Sequence, residues 1–164
     1  MTSNPRTPRH SKLAALVAPA AVVVAGGLLV LRLHFQPPTV PPYTLATSGD
    51  VTVLRRGGHF ELDAVPTREV TGAVGARAFL VRGTEVRPWD PPFEVSRDGS
   101  AHIRGQVDGL FAGVPPGDWE IDVAIGRPEM LPTAPKDVLR ARDADVDAGA
   151  AAWRLVRERI HLGS

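Results

Sequence analysis

Residues 13–31, LAALVAPAAVVVAGGLLVL, form a run of nineteen side chains with no charge and no strongly polar group. Wound as a helix at about 1.5 Å per residue, the run would extend roughly 28 Å, close to the ~30 Å hydrocarbon core of a bilayer. A helix that is apolar all round belongs in a membrane or deep inside a large protein. With 164 residues in all, about 120 remain after it, enough for one domain and too few for two ordinary ones. The run therefore predicts a single membrane helix over residues 13–32, followed by one domain.

The charges flanking the run give it a direction. Arg6, Arg9 and Lys12 precede it, Arg32 closes it, and no acidic residue occurs before Asp50. A short basic tail stays cytoplasmic, so residues 1–12 are expected inside and the C-terminal domain outside. A charged tail before an apolar stretch also opens a cleaved signal peptide, and Val23-Val24-Ala25 is a conceivable cleavage site. Cleavage there would leave Gly26-Gly27-Leu28-Leu29-Val30-Leu31 as a strongly apolar new end. The run also exceeds the usual signal core of about 7–15 residues. The expectation is an uncleaved signal anchor. Seventeen Arg against two Lys and one Asn suit a GC-rich bacterial coding sequence, which places the protein in a bacterial inner membrane.

From Leu33 onward, 15 basic residues face all 18 acidic ones. A domain of that balance is a poor partner for nucleic acid. The expected partners are the membrane and another envelope protein. The chain has no cysteine, which excludes disulfides, thiolate chemistry, cysteine zinc sites and a lipidated cysteine. Residues 33–42 include Pro37, Pro38, Pro41 and Pro42 and read as a proline-rich stalk in an extended conformation.

From Tyr43 the hydrophobic period becomes two. Trp119, Ile121, Val123 and Ile125 alternate with Glu120, Asp122, Ala124 and Gly126, the pattern of a half-buried strand. Residues 51–54 and 60–64 flank Arg56-Gly57-Gly58, a hairpin signal, and 93–95 and 101–103 bracket Asp98-Gly99, a second one. Residues 74–81 read as a further strand, and Leu110-Phe111 as a short apolar piece. Residues 148–162 fit a helix stripe or a strand, and the need for a closing strand favours strand from Trp153 to Leu162. The whole is mainly β, and its turn spacing suggests an immunoglobulin- or fibronectin-like β-sandwich over residues 43–164, with a small barrel as the other solution.

Residues able to do chemistry are sparse. Asp143, Asp145 and Asp147 alternate as in a calcium loop, but position six is Ala148 and position twelve Arg154, where an EF-hand needs Gly and Glu. No two of His10, His34, His59, His102 and His161 lie within five residues of each other, so no local zinc pair exists. Glu120 and Asp122 are expected on a solvated strand face. No serine sits in Gly-x-Ser-x-Gly and no phosphate-binding loop occurs. No cofactor or metal is expected, and the chain reads as non-enzymatic. Arg87-Pro88-Trp89-Asp90-Pro91-Pro92 is the most unusual loop. A tryptophan between prolines is either a binding anchor, with Arg87 and Asp90 beside it, or a plug over one end of the fold.

Three stretches carry a resemblance: GARAFLVR at 75–82, VRPWDPPF at 86–93, and GVPPGDWEI at 113–121 with IGRP at 125–128. Together they resemble the extracytoplasmic β-sandwich of myxobacterial-type single-pass membrane proteins, some of which carry an anti-sigma-factor zinc domain before the membrane helix. The resemblance implies an envelope role. This chain departs from it in its twelve-residue, cysteine-free tail, which has no room for a zinc domain. The expected function is thus a membrane-anchored binding or interaction module. A partner in envelope-stress signalling is the alternative, and an envelope hydrolase using His59 or His102 with a carboxylate is a third reading.

Overall fold

The computed structural model describes residues 39–48, 53–143 and 152–163. The expected tail, the membrane helix, most of the stalk, Asp145 and Asp147 lie outside the described residues. Among the described residues no helix is long and apolar enough to cross a membrane. The chain divides into units Met1–Pro37 and Pro38–Ser164, and the fold below is that of the second.

Its strands are β1 (Tyr43–Ser48), β2 (His59–Pro66), β3 (Gly75–Arg82), β4 (Glu85–Trp89), β5 (Phe93–Val95), β6 (Ala101–Gln106), β7 (Gly117–Gly126) and β8 (Trp153–Leu162). They form two four-stranded sheets, ordered β1-β2-β6-β5 and β4-β3-β7-β8. All pairings within the sheets are antiparallel. The alternation read from the sequence decides the core. Phe60, Leu62, Ala64, Ala101 and Ile103 of the first sheet meet Ala78, Leu80, Trp119, Ile121, Val123, Ile125 and Ile160 of the second in one buried cluster. Each large side chain removed from water this way contributes about 1.5–3 kcal/mol.

The Asp98-Gly99 hairpin forms as expected, pairing Phe93 with Ile103 and Val95 with Ala101. Gly99 takes φ +89°, and both carboxylate oxygens of Asp98 bind Ser100, one its N–H and one its hydroxyl. These bonds, the backbone one first, hold the Asp98 carboxyl below its ordinary pKa. The closing strand over Trp153–Leu162 also forms and pairs with β7 along its length.

Three expectations are corrected. The turn at Arg56-Gly57-Gly58 exists, with Gly58 N–H donating to the Arg55 carbonyl, but the described residues before it, 53 and 54, do not form the strand that pairs with β2. β1 occupies the place beside β2, and Leu54 instead bridges Leu162 of β8. Second, the loop at 87–92 is half strand. Arg87, Pro88 and Trp89 belong to β4, joined to β3 through Gly83 (φ +61°) and Thr84. Proline fits because β4 is an edge strand, where the missing N–H costs no ladder bond. Residues 90–92 then carry the chain from one sheet to the other. Third, the outer face of β7 is covered. Helix α1 (Val107–Leu110) precedes β7. After it come a 3-10 turn (Pro128–Met130) and helix α2 (Pro135–Asp143). Val138 of α2 and Leu131 pack with Phe79 and Ala124 in a second apolar cluster.

The described part of the expected stalk is fastened to the domain. Val40 is 1% exposed and its carbonyl accepts a bond from Arg154 Nε at 3.2 Å. The Pro42 carbonyl accepts from both the N–H and the hydroxyl of Thr67.

Candidate functional site

Trp89 ends β4 and turns inward. It is 9% exposed, its ring stacks on Phe111 at 5.1 Å between centroids, and its Nε1–H donates to the Leu110 carbonyl at 2.7 Å. Phe111 in turn meets Phe60 edge-on at 5.5 Å. The indole is thus packed inward against Phe111, with part of it in the wall of a groove. It ties the helix α1 region to the point where the chain changes sheets.

Arg87 does not join it. Its guanidinium pairs with Glu85, which also binds Arg82, and both arginines lie over the Trp119 ring, Arg82 at 4.4 Å and Arg87 at 5.6 Å. The Arg87 hydrogen bond, the largest cause, and the Arg82 contact hold the Glu85 carboxyl below its ordinary pKa. Trp119 is itself buried, with its Nε1–H on the Pro115 carbonyl.

Asp90 is exposed and stands on a ridge between two grooves. One, of about 390 Å³, is lined by Arg77, Phe79, Pro88, Trp89, Phe93 and Thr133 among others. The other, of about 260 Å³, has Pro91, Pro92, Arg104, Gln106 and Leu110 in its wall. Asp90 lines both. The three residues singled out from sequence therefore separate into a buried support, a clasp over a second tryptophan, and one exposed carboxylate.

Two polar groupings were missed. On the outer face of the first sheet, His102 Nδ1 lies 2.6 Å from Asp63 Oδ1, and Arg104 pairs with Glu61. This answers the histidine–carboxylate expectation in part, since His102 meets a carboxylate. His59 does not, because it pairs with Gln106, four register positions from the Asp63–His102 pair. None of the grooves and clefts described here is lined by His102.

The second grouping lies under α2. Asp122 is 0% exposed, and both its oxygens lie 2.7 Å from Arg142 Nη1. Arg142 Nη2 reaches Glu120 at 2.9 Å. Glu120 and Asp122 were expected to be solvated. They are instead the seat of α2. Burial pushes the Asp122 carboxyl up to about 6 against the opposing pull of Arg142. The signal available in sequence was Val138 and Ala141 three apart, an apolar stripe beside Arg142, on an otherwise polar segment whose residues 136–140 read as a possible helical turn. A cleft of about 620 Å³ opens at the end of the fold carrying α1. Leu54, Val107, Phe111 and Leu162 line it with Arg56 and Asp108. Asp108 is engaged there, accepting from Gly57 N–H at 2.8 Å.

Among the described residues no three His, Cys, Asp or Glu side chains are grouped to hold a metal ion. The chain matches no protein-family model, and no curated protein matches it.

Proposed function

We propose that this chain is a single-pass bacterial inner-membrane protein presenting an immunoglobulin- or fibronectin-type β-sandwich to the periplasm as a binding module. The apolar run at 13–31 and its basic flank support the membrane placement. The strand orders β1-β2-β6-β5 and β4-β3-β7-β8 support the fold type, because immunoglobulin-like domains pair their strands A-B-E-D in one sheet and C-F-G in the other. On that lettering β4 is an additional strand beside C.

The observation that carries the binding reading is Asp90. It stands next to the buried Trp89, whose Nε1–H is bonded to the Leu110 carbonyl, and borders two grooves of mixed apolar and polar lining. A rigid exposed ridge costs little to order on binding. The partner is another envelope protein, offering a basic side chain to Asp90 and small apolar side chains to the grooves.

The test is a photo-crosslinking residue at position 92, beside Asp90, in the full-length chain, in intact cells. One discrete adduct is expected, lost when Asp90 is changed to Lys. No adduct at position 92, with adducts from the outer face of the first sheet, would move the binding surface there.

A further inference from the structure

We propose that the partner's contact segment carries both signs of charge: an acidic side chain that pairs with Arg77, beside the basic one that pairs with Asp90, with an apolar residue between them. This rests on reading Asp90 as part of the binding surface.

Strand pairing brings Arg77 to Asp90. The β3–β4 ladder ends at Ala78 opposite Trp89, so Arg77 and Asp90 are the next facing positions. Ala78 and Trp89 belong to the core, and alternation turns their neighbours Arg77 and Asp90 outward. Both are exposed, and both line the groove of about 390 Å³. Among the described residues lining it they are the only charged ones.

The two charges are left open. Among the described residues neither side chain has an ion-pair or hydrogen-bond partner. The other arginines of β3, β4 and β6 are engaged: Arg82 and Arg87 share Glu85, and Arg104 takes Glu61. An exposed pair contributes little to stability, so leaving this one open costs the fold little. A partner that covers the groove takes both charges out of water, and each then needs an opposite charge. A partner of one sign would strand the other. The guanidinium of Arg77 suits a carboxylate, which it can grip through two N–H groups at once.

The floor between the charges is apolar and fixed. Phe79 packs into the second cluster, while Trp89 and the half-buried Phe93 pack into the first. The exposed Thr133 forms a further wall, on a loop pinned by the buried Leu131 and Pro132. A groove held from both clusters is formed before the partner arrives.

The test places a photo-crosslinking residue at position 133, in the full-length chain in intact cells. A discrete adduct is expected, and mass spectrometry of it identifies the partner's contact segment. Arg77→Glu is expected to cut the adduct about tenfold, while Arg77→Lys keeps it. Reversing the segment's acidic residue to Lys is expected to restore the adduct with Arg77→Glu. An adduct undiminished in Arg77→Glu overturns the proposal and leaves the Asp90 reading standing. So does a loss that the partner's reversal fails to restore, or an adduct from position 92 with none from 133. No adduct from either position overturns the Asp90 reading, and the proposal with it.

Discussion

Arg142 grips both carboxylate oxygens of the fully buried Asp122 at 2.7 Å, and this pair seats α2 on the second sheet. A buried pair is weak evidence for net stability, but breaking it leaves a buried charge without its partner. Arg142→Met is expected to cost about 3–5 kcal/mol in urea denaturation. Asp122→Leu combined with Arg142→Met is expected to recover most of that loss. A single variant as stable as the parent would show that α2 is held by Val138 and Leu131 alone.

The same carboxyl gives the fold an unusual pH response. Its folded pKa, about 6, lies above the ordinary 3.8 because burial disfavours the charge. The folded state then binds the proton more tightly than the unfolded chain. The resulting stabilisation is complete below 3.8 and is lost as pH rises through about 6. Burial raises Glu158 in the same sense. Comparing the parent with Asp122→Asn between pH 7 and pH 4 isolates the contribution. The parent is expected to gain stability relative to the variant as pH falls, and a constant difference would refute the assignment.

Trp89 is predicted to matter for stability before it matters for binding. Trp89→Ala removes the stack on Phe111 and is expected to cost about 3–5 kcal/mol. Trp89→Phe keeps an aromatic ring there, loses the bond to the Leu110 carbonyl, and is expected to cost less. Thermal unfolding of the two variants separates packing from hydrogen bonding.

Gly126 leaves no room for a side chain against the start of β8. A Cβ there would sit 2.4 Å from the Ala152 carbonyl oxygen and from Trp153. Gly126→Ala is therefore expected to destabilise the domain by about 1–3 kcal/mol, the usual range for overpacking. Denaturant midpoints test this, and a change under 0.5 kcal/mol, on the order of an ordinary surface substitution, would show that β8 gives way freely.

The inner face of β7 was legible because Trp119, Ile121, Val123 and Ile125 keep strict alternation, and the Asp98-Gly99 hairpin because its turn chemistry is local. What lay beyond a single strand was not. Glu120 and Asp122 carry the pattern of a solvated face, and only a helix arriving from positions 135–143 converts it to a buried one. Pro88 hid β4, since proline excludes a central strand and says nothing against an edge. The pairing of β2 with β1 in place of residues 53–54 is a choice between segments that no turn residue encodes. Of the site, Asp90 is exposed, while Trp89 and Arg87 are drawn into contacts with Phe111 and Trp119 that lie 22 and 32 positions along the chain.

The two sheets leave four strand edges, and each bears an obstacle to pairing with a neighbouring molecule. β5 is three residues long, and β4 carries Pro88, which has no N–H to offer. β1 lies against β8, closing the other flank, and β8 carries Arg154, Arg157, Glu158, Arg159 and His161 along its length. A protein confined to two dimensions meets its own copies far more often than one in solution. On the membrane placement proposed above, unsociable edges keep crowding from turning into fibrous self-association.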